Sequence, residues 1–385
     1  MRITVLRRVV ILLVALVSLH TAQAQEQSIL VEGRDTIRYV YTPTPNNIIP
    51  QKKRRFKVSF AGAPIYTPSI GLGVTLMATG SYTAKSAPAP SSISLYGSAT
   101  LKGVYSVGVQ GLNIFNNKHR IEYGLSIASI PTNFWGIGYI AATTNTPIRY
   151  TSKKEHIDIA YYYRLWQNIS IGSRIGFNHI HTKTSDIEAV TQLTNTPSKV
   201  YATDISLILE HDSRNSKVAP NSGVFAAVSA TMRPKVLGSL SSNSWYGDIK
   251  IAYYQKLWRG AVLASELFTQ SNSSSTPWQL FTHISGQGRM RGYYDGQFID
   301  RNMIWAQFEL QQHIWNGIGI DLWGGAANGF DAPKSFNWNH TLPNCGIGLR
   351  WQFSNQAVIR ADYGIGRRVA DRIINGFSIE IIGSL

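Results

Sequence analysis

The feature that most constrains this chain is a repeated alternation of apolar and polar residues in segments of about ten, the length of a tilted membrane β-strand. In 157–165 the odd positions read Ile, Ile, Tyr, Tyr, Leu, and the even ones Asp158, Ala160, Tyr162 and Arg164. In 202–210, Ile205, Leu207 and Leu209 oppose Asp204, Ser206 and Glu210. The pattern returns near the end, where Ile347, Leu349, Trp351 and Phe353 oppose Arg350 and Gln352, and Ile359, Ala361 and Tyr363 oppose Arg360 and Asp362. The last segment sets Phe377, Ile379, Ile381 and Leu385 against Ser378, Glu380 and Ser384. Side chains alternate across a strand, so each segment has one apolar and one polar face.

A soluble sandwich alternates too; the connections discriminate. Three segments end in aromatic clusters (160–166, 252–258, 313–315) followed by Gln167-Asn168, Arg259-Gly260 and Asn316-Gly317, the residues of tight hairpins. Other connections are long and polar: 131–147, 182–198, 233–244, 271–300, 328–343 and 366–375. Short turns at one end and long loops at the other describe an outer-membrane barrel, with its aromatic girdle at the short-turn end. The expected fold is an all-β, antiparallel transmembrane barrel of about sixteen strands, an even number that closes it with both termini periplasmic. Closure is required because no backbone polar group can stay unpaired in lipid. The expected strands are 56–66, 69–81, 92–103, 104–115, 119–130, 148–166, 168–182, 199–211, 222–233, 245–258, 260–271, 301–315, 317–328, 344–353, 357–366 and 376–385.

The start of the chain reads as a secretory signal over 1–24: Arg2, Arg7 and Arg8, an apolar run from Val9 to Leu19, then Ala22-Gln23-Ala24. That run is too short for a membrane helix. Residues 25–55, with Pro43, Pro45, Pro50 and Lys52-Lys53-Arg54-Arg55, read as a periplasmic tether, and 56–385 as the barrel domain. Localisation to the bacterial outer membrane follows. The formal charge of +16 excludes little by itself, but an exported chain meets anionic lipid headgroups or lipopolysaccharide rather than nucleic acid. The single cysteine, Cys345, rules out an intramolecular disulfide and a thiolate zinc cluster. No cofactor or metal site is expected; His179 and His181 share a strand face without an acidic or Cys partner in the pattern.

One stretch is unlike the rest: Ser285-Gly-Gln-Gly-Arg-Met-Arg-Gly-Tyr-Tyr-Asp-Gly296, followed by Asp300-Arg301-Asn302. It resembles the sixth extracellular loop of the bacterial surface antigen barrels, the BamA–TamA superfamily, with its Val/Met-Arg-Gly-Tyr/Phe motif. That loop joins strands eleven and twelve of sixteen, where 271–300 falls in the count above. A second match, His211-Asp212-Ser213-Arg214-Asn215 with Pro220 and Gly223, is similar to the family's periplasmic turn after strand eight. The resemblance covers most of 199–385 and is weak in the first five strands.

The resemblance implies that the loop folds into the lumen. Gly286, Met290, Arg291, Gly292 and Tyr293 would form the inserted motif, and Arg291 would pair with acids on strands twelve and thirteen. The candidates are Glu309 and Asp321, both on the inward phase. The family's strand-thirteen acid position falls on Gly325, which favours Glu309. An unpaired guanidinium there would be costly. BamA and TamA carry POTRA domains before the barrel, whereas 25–55 is too short for one, so a POTRA-less type is expected. The implied function is insertion or translocation of outer-membrane or surface proteins through a seam between 56–66 and 376–385. It would work on client outer-membrane proteins with a periplasmic or lipoprotein partner, or by self-association. A passive pore or structural scaffold is the alternative. A third, an outer-membrane phospholipase, rests on His283-Ile284-Ser285 alone, which lacks the usual Asn after the serine; the expectation is a protein that is not an enzyme.

Overall fold

A computed structural model describes residues 56–83, 87, 90–184, 197–217, 219–284, 289–354, 357–369 and 372–383. The signal and tether segments, Ser285, Gly286 and the end of the chain lie outside the described residues. The barrel lies within the compact unit Arg54–Leu385.

Sixteen strands close into one barrel, each antiparallel to its sequence neighbours, with the first paired to the last. They are β1 Lys57–Thr67, β2 Gly71–Tyr82, β3 Ser91–Thr100, β4 Tyr105–Phe115, β5 His119–Phe134 and β6 Ile148–Arg164. Then follow β7 Ile169–Lys183, β8 Lys199–Asp212, β9 Gly223–Arg233, β10 Ser244–Lys256 and β11 Ala261–Asn272. The last five are β12 Asn302–Trp315, β13 Ile318–Phe330, β14 Leu342–Ser354, β15 Ala357–Val369 and β16 Arg372–Gly383.

The barrel is apolar outside and polar inside, as a bilayer demands. On β8, Ile205, Leu207 and Leu209 are exposed while Asp204, Ser206 and Glu210 are buried. Leu207 is 67% exposed, yet Asp321 and Asp362 are 0% and 1%. In water this would be unstable; in lipid it is the low-energy arrangement. No described helix is long and apolar enough to cross a membrane.

Three expectations need correction. The 366–375 loop is mostly strand: β15 and β16 continue pairing to Val369↔Arg372. β5 runs on to Phe134 through Pro131, which pairs with Thr151, and only then does the connection form a short helix, Tyr139–Thr144. The sorting of short and long connections fails at the start, where the outer turns after β1 and β3 are as tight as periplasmic ones: 68–70 and 101–104. Pairing continues past the apolar belt because the strands no longer need an apolar face there.

Among the described residues, the two larger apolar clusters sit at the loop end, and a small one, Ala160, Tyr162 and Ile208, lies toward the other end. Phe134, Tyr150, Trp278 and Ile299 form one cluster, and Ile284, Met290, Tyr293, Phe298, Met303 and Trp305 lie in another. Both are built around the β11–β12 connection, which carries a two-stranded ribbon, His283–Ile284 against Phe298–Ile299. The rest of the lumen holds a cavity of about 1250 Å³ lined by a mixture of charged, polar and apolar side chains.

Candidate functional site: the inserted loop and its ionic cluster

The β11–β12 loop descends from the ribbon into the barrel, and its tip is set by backbone geometry. Met290 has φ 45° and Gly292 φ 103°. The second value lies where a side chain is strained, so glycine is required there. Met290 is fully buried, and its N–H donates to Gln307 Oε1 at 3.2 Å. Tyr293 anchors the far side: its hydroxyl donates to the Pro343 carbonyl at 2.6 Å and accepts from the Arg367 N–H at 2.8 Å. Burial raises its phenol pKa to about 12, so it stays protonated and can donate.

Arg291 points from this tip toward the wall. Its Nη2 donates to Glu309 Oε2 on β12 at 2.6 Å, and its Nη1 to Asp362 Oδ1 on β15 at 3.1 Å. The guanidinium lies 4.1 Å from the ring centre of Trp323 on β13, and the Asn344 amide donates to the Arg291 carbonyl at 3.1 Å. One charge-assisted bond from each terminal nitrogen, plus a flat ring against the guanidinium, form a fork that a lysine could not match.

The register explains this convergence. Glu309 pairs with Trp323, Trp323 with Gly346 and Gly346 with Gly364, and all four share one row. At Gly346 a methyl would overlap the Trp323 ring and the Tyr363 carbonyl. At Gly364 it would lie 2.5 Å from the Arg291 carbonyl oxygen and 2.7 Å from Trp323. The glycines therefore carve a hollow that admits both the loop backbone and the indole. Two residues away on these strands come Gln311, Asp321, Gly348 and Asp362, then His313, Gly319, Arg350 and Arg360.

That third row completes the cluster. Arg350 Nη1 lies 3.3 Å from Asp321 and 3.8 Å from Glu309; Arg360 lies 3.8 Å from Glu309, 3.7 Å from Asp362 and 3.5 Å from Glu380. Three guanidinium groups thus interleave with four carboxylates, and none of the acids is left without a cation. Next to the loop tip, Arg289 makes a further pair with Glu266 of β11 at 2.7 Å.

The periplasmic turn after β8 is ordered by its own ion pair. Asp212 accepts from the Arg214 N–H, Nε and Nη2 at 3.1, 2.9 and 2.9 Å, and the Arg214 guanidinium stacks on Phe225 at 4.4 Å. Gly223, at φ 105°, packs its backbone directly on Ser213, and Pro220 is buried between them in sequence. His283 Nδ1 stands 3.9 Å from Asp295 within the loop, and Ser285 of the His283-Ile284-Ser285 run lies outside the described residues. Among the described residues, no group of three or more His, Cys, Asp or Glu side chains is arranged to hold a metal ion.

Sequence comparison matches the Omp85 superfamily domain over residues 51–381, nearly the whole barrel. The chain belongs to the Omp85 superfamily. It is thus an outer-membrane β-barrel of the BamA–TamA kind. No curated protein matches it. In structure, the Omp85 barrel is similar to BamA from Haemophilus ducreyi lacking POTRA domains 1-3, at 14% identity and TM-score 0.58 over 85% of this chain and 70% of that one. It is also similar to CdiB from Acinetobacter baumannii, at 12% identity and TM-score 0.56 over 86% of this chain. It spans 60% of that protein. CdiB from Escherichia coli gives 10% identity and TM-score 0.57, over 86% of this chain and 68% of that one. At such identities the likeness is one of fold.

Of the acids proposed from sequence, Glu309 meets Arg291 and Asp321 does not: Asp321 sits one row further along β13 and pairs with Arg350. The second partner, Asp362, lies on β15, not on strand thirteen. Sequence reasoning missed it, together with Trp323, Asn344, Arg350 and Arg360. A signal was present, since Arg360, Asp362 and Gly364 fall on one inward phase of β15. Two charges and a glycine at period 2 inside a barrel mark a wall that something approaches closely.

Proposed function

We propose that this Omp85 barrel aids insertion or translocation of outer-membrane or surface proteins by parting its β1–β16 seam. The observation that carries the reading is the pairing there. Among the described residues, β1 and β16 share a single registered pair, Tyr66↔Ile379. By contrast, β1 pairs β2 from Lys57↔Ser81 through Thr67↔Gly71, and β15 pairs β16 from Ala357↔Gly383 to Val369↔Arg372. Strand pairing is what closes a barrel in lipid, so the least-paired edge is the cheapest place to open and to template an incoming strand. The structural likeness to BamA and CdiB supports the same reading. Clients would be unfolded outer-membrane proteins, delivered with a periplasmic or lipoprotein partner or through self-association. Catalysis has no part in it.

The lumen cavity of about 1250 Å³ favours one other reading, a passive pore. The two separate in one experiment. Tyr66→Cys with Ile379→Cys places a disulfide at the registered pair, and the oxidised barrel is compared with the reduced one in liposomes for folding of a urea-denatured client barrel. Oxidation should slow client folding several-fold and reduction should restore it. Equal client folding in both states, with conductance in planar bilayers unaffected by the lock, sinks the seam mechanism and leaves the pore.

A further inference from the structure

Beyond the seam, we infer that the outward face of β6, β7 and β8 holds the phosphorylated headgroup of an outer-leaflet lipid, bound by Lys153, His181, Lys183 and Lys199. The register puts these side chains together. Lys153 pairs with His181 and His181 with Lys199, so three basic residues lie side by side across three strands. Lys183 stands two residues further along β7 on the same face. All three lysines are exposed, and their charges all reach the His181 imidazole. Among the described residues, no carboxylate pairs with any of the three lysines; Glu155, the nearest acid in register, is taken by His179 at 3.1 Å.

Lys153 and Lys199 flank His181 across the three strands, and an anion laid over the row would offset the repulsion between the lysines. Height on the barrel says which anion. The row Tyr163, Ile171 and Leu209 lies at the periplasmic end of the lipid face, ten residues below Lys153, His181 and Lys199 on every one of the three strands. At about 3.4 Å per residue and a tilt near 40°, that is about 26 Å of height, the thickness of an outer-membrane apolar band. Between them the outward positions are Glu155, His179 and Tyr201 directly below the basic row, then mostly apolar rows with Ile157, Phe177, Ile159, Ile175, Ile205 and Leu207, which meet acyl chains. The basic row therefore stands where headgroup phosphates of the outer leaflet lie.

The β9–β10 connection adds an independent sign that lipid meets this face. It folds down beside β8: Ser239 N–H donates to the Tyr201 carbonyl at 2.9 Å, and the Thr203 hydroxyl donates to the Leu237 carbonyl at 2.7 Å. That sets Leu237 and Ser239 beside Thr203 and Tyr201, with Val236 of the same connection 80% exposed. An aliphatic side chain held out next to a lysine on a loop suits an interface with acyl chains below and phosphates above.

The test uses the full-length barrel, delipidated in neutral detergent. It is offered bisphosphorylated lipid A, the same lipid A after enzymatic dephosphorylation, or inorganic phosphate, with bound lipid counted by native mass spectrometry. Bisphosphorylated lipid A should be retained at least tenfold better than the dephosphorylated form, and millimolar inorganic phosphate should not displace it. Lys153→Gln/His181→Gln/Lys199→Gln should lose that preference while keeping the heat-resistant folded form on semi-native gels. If this variant fails to fold, Lys183→Gln and Lys199→Gln singly should each weaken retention several-fold. Retention unchanged by the substitutions, or equal for both lipids, overturns the assignment. Displacement by inorganic phosphate overturns the lipid source and leaves a site for free phosphate.

Discussion

Replacing Arg291 by alanine should destabilise the barrel by about 4 kcal/mol while leaving export unchanged. The magnitude comes from the cluster. The Arg291, Glu309 and Asp362 side chains are 3%, 8% and 1% exposed, so their pairing is screened little by water. Removing one partner of a buried pair costs about 3–5 kcal/mol, because the charge left behind stays desolvated. The lower half of that range applies, since Arg350 and Arg360 remain within 3.8 Å of Glu309 and Arg360 within 3.7 Å of Asp362. Loss of the cation–π contact with Trp323 adds about 1 kcal/mol. Urea unfolding of the barrel in lipid vesicles, followed by the heat-resistant form on semi-native gels, measures the sum. A double-mutant cycle isolates the pair: Arg291→Ala with Asp362→Asn should cost about 1–2 kcal/mol less than the two changes added. An unfolding free energy for Arg291→Ala within about 1 kcal/mol of the unmodified barrel, or strict additivity in the cycle, would refute the claim that the loop is held by charge.

Two further outcomes are expected. Gly364→Ala should push the loop off the wall, since the new methyl would sit 2.5 Å from the Arg291 carbonyl oxygen; trypsin should then cut at Arg289 or Arg291, bonds that stay protected in the unmodified barrel. Asp300, buried in the loop beside Asp331, has its carboxyl raised to about 6, chiefly by burial. Its folded-state value lies above the usual carboxylate value of about 3.9, so the native state holds the proton more tightly. The stability tied to that proton is complete below about pH 4 and is lost as pH rises through 6, by about 3 kcal/mol at most. Asp300→Asn should flatten this slope, read as the urea midpoint between pH 4 and pH 7.

Much of the barrel is legible in the sequence because lipid imposes one rule on every strand. The alternation at 199–211 and 347–353 follows from it, and an even count follows from closure. Legibility stops where the rule stops. Pro131 interrupts the strand pattern of β5, and 366–375 reads as a polar connection, so the extension of β5 and the paired ends of β15 and β16 leave no clear periodic trace. The ionic cluster divides the same way. Arg291 is visible through its motif, and Glu309 through its inward phase on the next strand. Asp362 is 71 residues from Arg291 in sequence, and their meeting depends on how the wall curves round the loop. The lateral row that carries Glu309 to Trp323, Gly346 and Gly364 is a property of register, which no single segment encodes.

That glycine row extends to the edge of the sheet. Gly376 of β16 pairs with Gly364, and a methyl there would lie 3.2 Å from the carbonyl oxygen of Gly292. The last strand therefore rests on the loop at Gly376, while its Ser378 and Glu380 line the cavity together with Ala61, Ile65 and Thr67 of β1, for which no such loop contact is seen among the described residues. The two sides of the seam are unequally supported. Were the seam to part as proposed, β16, braced from within at Gly376, would serve as the jamb and β1 as the leaf.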